Sequence, residues 1–300
     1  MSLGGAGRNV AENPAPHGTL THLIAAVGRD TLGDNLLAQT SAAGVRLEFV
    51  QRSGQPTGTY TAILDSDGEL IVALADMTIV EDLRPEHLNP ARDVITTAGL
   101  LVLDGNLATP TLEHALALAA EAGVRTILEP VSVPKARLVA ATTASERPLY
   151  AVTPNRDELT ALTDLPTRTD RQLRTAADSL HKRGVQRVWV RLGPDGPLLS
   201  SASGEAVHIP AVPTTVEDVT GAGDSSLEGF CHALIEDSTP VEAARFRHTV
   251  DPTSPRGWSE LHSPPPPHLP RPDRRGRPGP APIVSPLRKS REELGQRSCR

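Results

Sequence analysis

Val219-Thr220-Gly221-Ala222-Gly223-Asp224, with the residues that follow it, decides how this chain is read. After Asp224 the apolar residues fall at Leu227, Phe230, Cys231, Leu234 and Ile235. That i, i+3, i+4, i+7, i+8 spacing predicts a helix with one buried face. The glycines ahead of it let backbone N–H groups point at a ligand. A helix N-terminus adds partial positive charge at the same place, so the segment is a seat for phosphate. Asp224 puts a carboxylate at its rim, where it could take a proton from a hydroxyl. The structural alternative is a Gly-rich strand-to-helix turn in which Asp224 only caps the first helical turn.

The longer string Asp218-Val-Thr-Gly-Ala-Gly-Asp224, followed by Gly229-Phe230, resembles the second signature of the ribokinase-like (PfkB) sugar and nucleoside kinases. The resemblance implies that Asp224 is the catalytic base. It also implies that the amides of Gly221, Ala222 and Gly223 form the anion hole. The fold it implies is α/β: a ribokinase-like three-layer α/β/α sandwich with a mostly parallel central sheet and a small β lid. The cofactors it implies are ATP and Mg2+.

Composition bounds the alternatives. Three hundred residues suit one large α/β domain or two small ones. Aromatics are 2% of the chain, so the core must be built from Leu, Val, Ala and Ile. No apolar run approaches the ~20 residues that span a bilayer, and the N-terminus lacks the basic-then-apolar order of a signal peptide. Cys231 and Cys299 are the only cysteines, which argues against a disulfide framework and for a reducing, cytoplasmic setting. Residues 251–300 carry ten Lys/Arg against five Asp/Glu, so the rest of the chain is strongly acidic. An acidic body does not suit nucleic acid. No Walker A string and no Gly-x-Gly-x-x-Gly after a first strand are present, which disfavours P-loop enzymes and dinucleotide dehydrogenases.

Other strings fall in the family's order. Gly4-Gly5-Ala-Gly-Arg-Asn9 resembles the glycine-rich segment that lines the sugar site, which implies Gly4, Gly5 and Asn9 as substrate contacts; the alternative is a loop. Pro14 and Pro16 predict that the helix after Asn9 is short or broken. Leu23–Val27 reads as a buried strand, and 31–43 as a helix closed by Gly44. Val27-Gly28-x-Asp30-x-x-Gly33 takes a structural role. Thr59–Leu64 and Glu69–Leu74, joined by Asp65-Ser-Asp-Gly68, read as a β-hairpin. By resemblance it belongs to a lid of roughly residues 45–76, through which a homodimer forms. Asp76 at the lid exit is either a substrate contact or a solvated turn residue.

From residue 100 the rhythm is βαβα, which predicts a parallel sheet with both faces covered and ligands beyond the strands' carboxyl ends. Asp104, Asn106 and Glu129 lie at such ends, and Asn106 is a candidate substrate contact. Thr111 reads as a helix cap. The string Glu129-Pro-x-Ser-x-Pro-Lys135 resembles pseudouridine kinases within the family. Asn155-Arg-Asp-Glu158 resembles the family's Asn-x-x-Glu motif, which implies that both residues serve the nucleotide, with Glu158 meeting the metal through water. The residues alone also fit an N-cap with its capping-box partner. Leu192-Gly193-x-x-Gly196 resembles the nucleotide-side loop, so Gly193 and Gly196 are cofactor-binding candidates. His208 reads as a surface strand residue.

Residues 247–300 form a Pro/Arg-rich tail with no apolar period and are expected to be disordered. The resemblance also implies a strand with an Asp ahead of Gly4 that this sequence does not contain. The kinase domain, residues 1–246, is therefore expected to be incomplete at both ends. Three readings remain. One is ATP-dependent phosphorylation of a primary hydroxyl on a small-molecule sugar or nucleoside, pseudouridine first. Another is a remnant that binds such ligands weakly and catalyses nothing. The third is an interaction protein that binds a partner through the proline-rich tail of residues 247–300.

Overall fold

Leu103, Leu128, Val152, Val188 and Val190 are buried in one apolar cluster, while their strand neighbours Val102, Ile127, Ala151 and Trp189 belong to a second. Successive strand residues point to opposite faces, so this split means a sheet covered on both sides. The computed structural model describes residues 5–12, 19–64, 70–144, 148–210, 222–236 and 238–246. All of them lie in one compact unit, Met1–Pro252. The proposed tail, Gly4, Gly221, Pro14, Pro16 and the 65–68 turn fall outside the described residues.

The chain opens with α1 (Ala6–Glu12), β1 (His22–Gly28), α2 (Thr31–Ala42) and β2 (Arg46–Ser53). β3 (Thr59–Leu64) and β4 (Leu70–Asp76) follow, then α3 (Arg92–Thr97), β5 (Leu101–Asp104), α4 (Thr109–Ala122), β6 (Thr126–Glu129), α5 (Val133–Val139) and β7 (Ala151–Val152). The remainder is α6 (Arg156–Thr163), α7 (Asp170–His181), β8 (Arg187–Val190), β9 (Leu198–Ser201), β10 (Ala206–His208), α8 (Ala222–Ile235) and α9 (Pro240–Phe246). The central sheet runs β10-β9-β8-β7-β6-β5. β5 to β8 are parallel, and β9 and β10 add antiparallel at one edge. Helices α4 to α7 supply Leu112, Leu116, Leu159, Leu173 and Leu180 to one face. α1, α8 and α9 supply Val10, Leu227, Phe230, Leu234 and Ala243 to the other. This is the expected three-layer α/β/α arrangement.

The apolar period after Asp224 marks the helix it predicts. Leu227, Phe230, Cys231 and Leu234 of α8 are buried, and Phe230 stacks on Trp189 of β8 at 4.7 Å between ring centroids. Such a pair is worth ~0.5–1.5 kcal/mol beyond its buried area. α1 has seven residues, as the prolines after it require. Gly44 follows α2 with φ 92°, a conformation that suits glycine at a helix end.

Two local readings change. Thr111 is not the cap of α4: the helix starts two residues earlier, after Ala108, because Pro110 fits the first turn where no N–H is needed. Thr111 is instead buried, and its hydroxyl donates to the Leu83 carbonyl at 2.7 Å. Arg46–Ser53, placed with the lid by its change in character, pairs in parallel with β1. The antiparallel hairpin is β3 with β4.

Candidate functional site at the carboxyl ends of the parallel strands

β5, β6, β7 and β8 end side by side, so the residues just beyond them share one edge. Glu129 closes β6. Thr153 and Asn155 follow β7, and Arg191 follows β8, with Asn155 and Arg191 forming a parallel bridge beyond the named strands. Glu158 reaches the same place from the first turn of α6. There the Asn155 side chain accepts from the Glu158 amide at 2.9 Å, and Oε2 of Glu158 accepts from the Asn155 amide at 2.8 Å. The capping box therefore exists, and it fixes both side chains at the strand ends.

One guanidinium ties this edge together. Nη2 of Arg191 donates to Oε1 of Glu129 at 2.7 Å and to Oε2 of Glu158 at 3.2 Å. Thr153 Oγ1 donates to the other Glu129 oxygen at 2.5 Å. Both glutamate side chains are 3% exposed. Burial pushes the Glu129 carboxyl up to about 7, against the pull of Arg191 and the Thr153 hydrogen bond, and the nearby Glu158 adds to the rise. Val131, two residues on, has φ 70°, a rare conformation for a β-branched residue. It turns the Val131 amide back onto Glu129 Oε1 at 3.2 Å. Gly105 after β5 leaves no room for a side chain: a Cβ there would lie 2.6 Å from the Pro130 carbonyl oxygen.

α1 and α8 approach from the other layer. α1 packs against both α8 and β5, and Val10 shares a cluster with Leu227 and Phe230. Gly5 precedes α1 with φ 111°, and the Asn9 amide bonds its carbonyl at 2.8 Å. The Asn9 side chain accepts from Arg8 Nη1 at 3.1 Å. Gly7 lies against Asp104: a Cβ on it would sit 3.4 Å from Asp104 Oδ2. Ala222, Gly223 and Asp224 form the first turn of α8, and only their backbone is described. Asn106 donates its amide to Asp104 Oδ1 at 2.9 Å, which places it on the same edge.

The remaining candidates divide. Gly193 and Gly196 flank a short 3-10 turn with φ 57° and 77°, as a tight strand-to-strand loop demands. Asp76 is exposed at the end of β4, and its carboxylate accepts from the Thr78 amide and hydroxyl, a local turn arrangement. Asp30 caps α2, and hydrogen bonds from Thr57 and Gly33 hold its carboxyl down to about 2. Thr57 also accepts from the Gly28 amide at 2.9 Å, so the Gly28-Asp30-Gly33 string anchors the chain entering the hairpin. A groove of about 290 Å³ between α5 and α6 is lined by Val133, Arg137, Asp157, Thr160, Ala161 and Asp164. None of the expected site residues lines it. Arg191, Thr153 and the strained Val131 were not singled out from sequence. The signal for Arg191 was a charge directly after the buried run Val188-Trp189-Val190.

Comparison with known proteins identifies the family. The model of the pfkB family of carbohydrate kinases matches residues 1–250. The chain is 34% identical over 82% of its length to an uncharacterized sugar kinase, YeiI, of Escherichia coli, and covers 67% of that protein. It is 32% identical over 81% of its length to the pseudouridine kinase of the same organism, covering 76% of it. Among solved structures, ribokinase of Arabidopsis thaliana in complex with ribose and ATP superposes with a TM-score of 0.71 at 26% identity, over 82% of this chain and 79% of that one. The chain thus belongs to the PfkB family of carbohydrate kinases, enzymes that transfer a phosphoryl group.

Proposed function

We propose that this kinase phosphorylates a primary hydroxyl of a sugar or nucleoside with ATP, and that pseudouridine, yielding its 5′-phosphate, is the preferred acceptor. One observation carries the reading. α1, with Gly5 and Asn9, lies against α8, whose first turn holds Asp224, although more than 200 residues separate them in sequence. A sugar held by the Asn9 side would present its hydroxyl to the Asp224 side.

In the proposed reaction Asp224 takes the hydroxyl proton as the oxygen attacks the γ-phosphorus. The new O–P bond forms as the bond to the β-phosphate oxygen breaks, and ADP leaves. Amides of Gly221, Ala222 and Gly223 stabilise the charge spread over the transferring oxygens. Asn155 and Glu158, with the Gly193–Gly196 turn beside them, serve the nucleotide. Gly4, Gly5, Asn9 and Asn106 are the proposed acceptor contacts. Asp76 remains a weaker one, since its carboxylate already binds Thr78.

Among the described residues no group of three or more metal-ligating side chains exists. A magnesium ion reached by Glu158 through water and bound mainly by phosphates fits the residues present, since magnesium prefers oxygen ligands and keeps several waters. Such an ion would offset the phosphates' negative charge.

The hairpin supports a role as lid and contact surface. Ile63, Val72 and Leu74 fall on one face of the β3–β4 pair and Tyr60 and Ile71 on the other, and all five are exposed. A bare two-stranded hairpin is marginal in water. The proposal is that one face closes over the acceptor and that a second copy covers the other. No described helix is long and apolar enough to cross a membrane.

The test is a phosphorylation assay with ATP, Mg2+ and a panel of ribose, adenosine and pseudouridine. Pseudouridine 5′-phosphate is expected as the fastest product. Transfer to none of the three would overturn the reading in favour of a binding remnant.

A further inference from the structure

Two buried carboxylates at one strand-end edge are an oxygen donor set that hard divalent cations take up. Here a single nitrogen of Arg191 sits between them. Three of the four carboxylate oxygens are engaged: Glu129 Oε1 by Arg191 and Val131, Glu129 Oε2 by Thr153, and Glu158 Oε2 by Arg191 and Asn155. Oε1 of Glu158 receives no hydrogen bond from the described residues. The engagement is built in rather than incidental. It uses a strained Val131 and residues from four separate segments, and strain of this kind persists only where the surroundings impose it.

We propose that Arg191 is a positioning residue that acts as the resident counter-cation of Glu129 and Glu158. It aims both carboxylates and keeps the pair from capturing a free divalent cation, so that the cation enters only with the nucleotide phosphates. Oε1 of Glu158 is the oxygen left to face a metal-bound water. The inference rests on the reading that Glu158 serves the nucleotide's cation.

The physical reason is charge. With Arg191 the edge carries one positive centre against two carboxylates, and their oxygens are committed to hydrogen bonds. Without it the two carboxylates stand close and unopposed in a poorly solvated place, where a divalent ion replaces the missing cation. The charge rather than the guanidinium shape should therefore decide metal uptake in the absence of nucleotide. A merely structural arginine would lower stability without altering that uptake.

The probe is Mn2+ alone at pH 8, where both glutamates are carboxylates, followed by calorimetry and by its electron paramagnetic resonance signal, on the full chain without nucleotide. The wild type should bind Mn2+ no better than Glu158→Gln does. Arg191→Met should gain a site at least roughly tenfold tighter, which is lost again when Glu158→Gln is added. Arg191→Lys should behave as the wild type. If Arg191→Met binds Mn2+ no more tightly than the wild type, the proposal is overturned. Should that variant not fold, the wild type still decides. Tight Mn2+ binding without nucleotide that Glu158→Gln abolishes overturns the proposal, and Mn2+ binding only in the presence of ATP supports it. A wild type that binds no Mn2+-ATP at all instead removes the nucleotide reading of Glu158, and this proposal with it.

Discussion

Glu129→Gln should change the pH dependence of stability more than stability itself. The Glu129 carboxyl titrates at about 7 in the folded protein and near 4.5 when the chain is unfolded. A raised folded value means the native state holds the proton more tightly than the unfolded state. Stability from this group is therefore fully present below about 4.5 and is lost as pH rises through about 7. A difference of this size corresponds to about 3 kcal/mol between the two limits. Glutamine resembles the protonated acid and cannot lose a proton, so the variant lacks this slope. The amide also changes the local hydrogen bonding around Arg191 and Thr153, but an offset of that kind is the same at both pH values and cancels when one protein is compared with itself. The assay is urea unfolding of both proteins at pH 5 and pH 8. The wild type should lose roughly 2–3 kcal/mol more than the variant between the two, since pH 5 still lies just above the unfolded value. Equal losses would refute the reasoning, and would mean that Arg191 holds Glu129 ionised across the whole range.

Two further outcomes follow from local geometry. Thr57→Val removes hydrogen bonds to the Gly28 amide and to Asp30, and should cost ~1–3 kcal/mol in chemical unfolding. The Asp30 carboxyl is held below its ordinary value, so its contribution is present above about 3.8 and lost as pH falls through about 2. That acid-side dependence should shrink in the Thr57→Val variant. If a second copy covers the hairpin, light scattering should find a dimer that Leu74→Lys converts to monomer. A monomeric wild type would count against it.

What could be read from sequence was local and periodic. Leu227, Phe230, Cys231 and Leu234 share a face because 3.6 residues make a turn, so their burial followed from spacing. The Asn155–Glu158 box spans one helical turn and was equally legible. Arg191 was not, because its partners Glu129 and Glu158 lie 62 and 33 residues away and meet it only through the order of the parallel strands. β2 was misplaced with the lid for the same reason: its partner is β1, and a parallel pairing leaves no turn between the strands to announce it. Thr111 shows the reverse error. A good capping residue stood in sequence at a helix start, but Pro110 and the Leu83 carbonyl set the true boundary and the true partner.

The central claim, that a carboxylate at the start of α8 passes an alcohol's proton away during phosphoryl transfer, is tested most directly by Asp224→Asn. With ATP, Mg2+ and pseudouridine, the variant should lose turnover by ~10²–10⁴-fold or more while calorimetry shows ATP bound as tightly as in the wild type. Turnover that survives the substitution would contradict it.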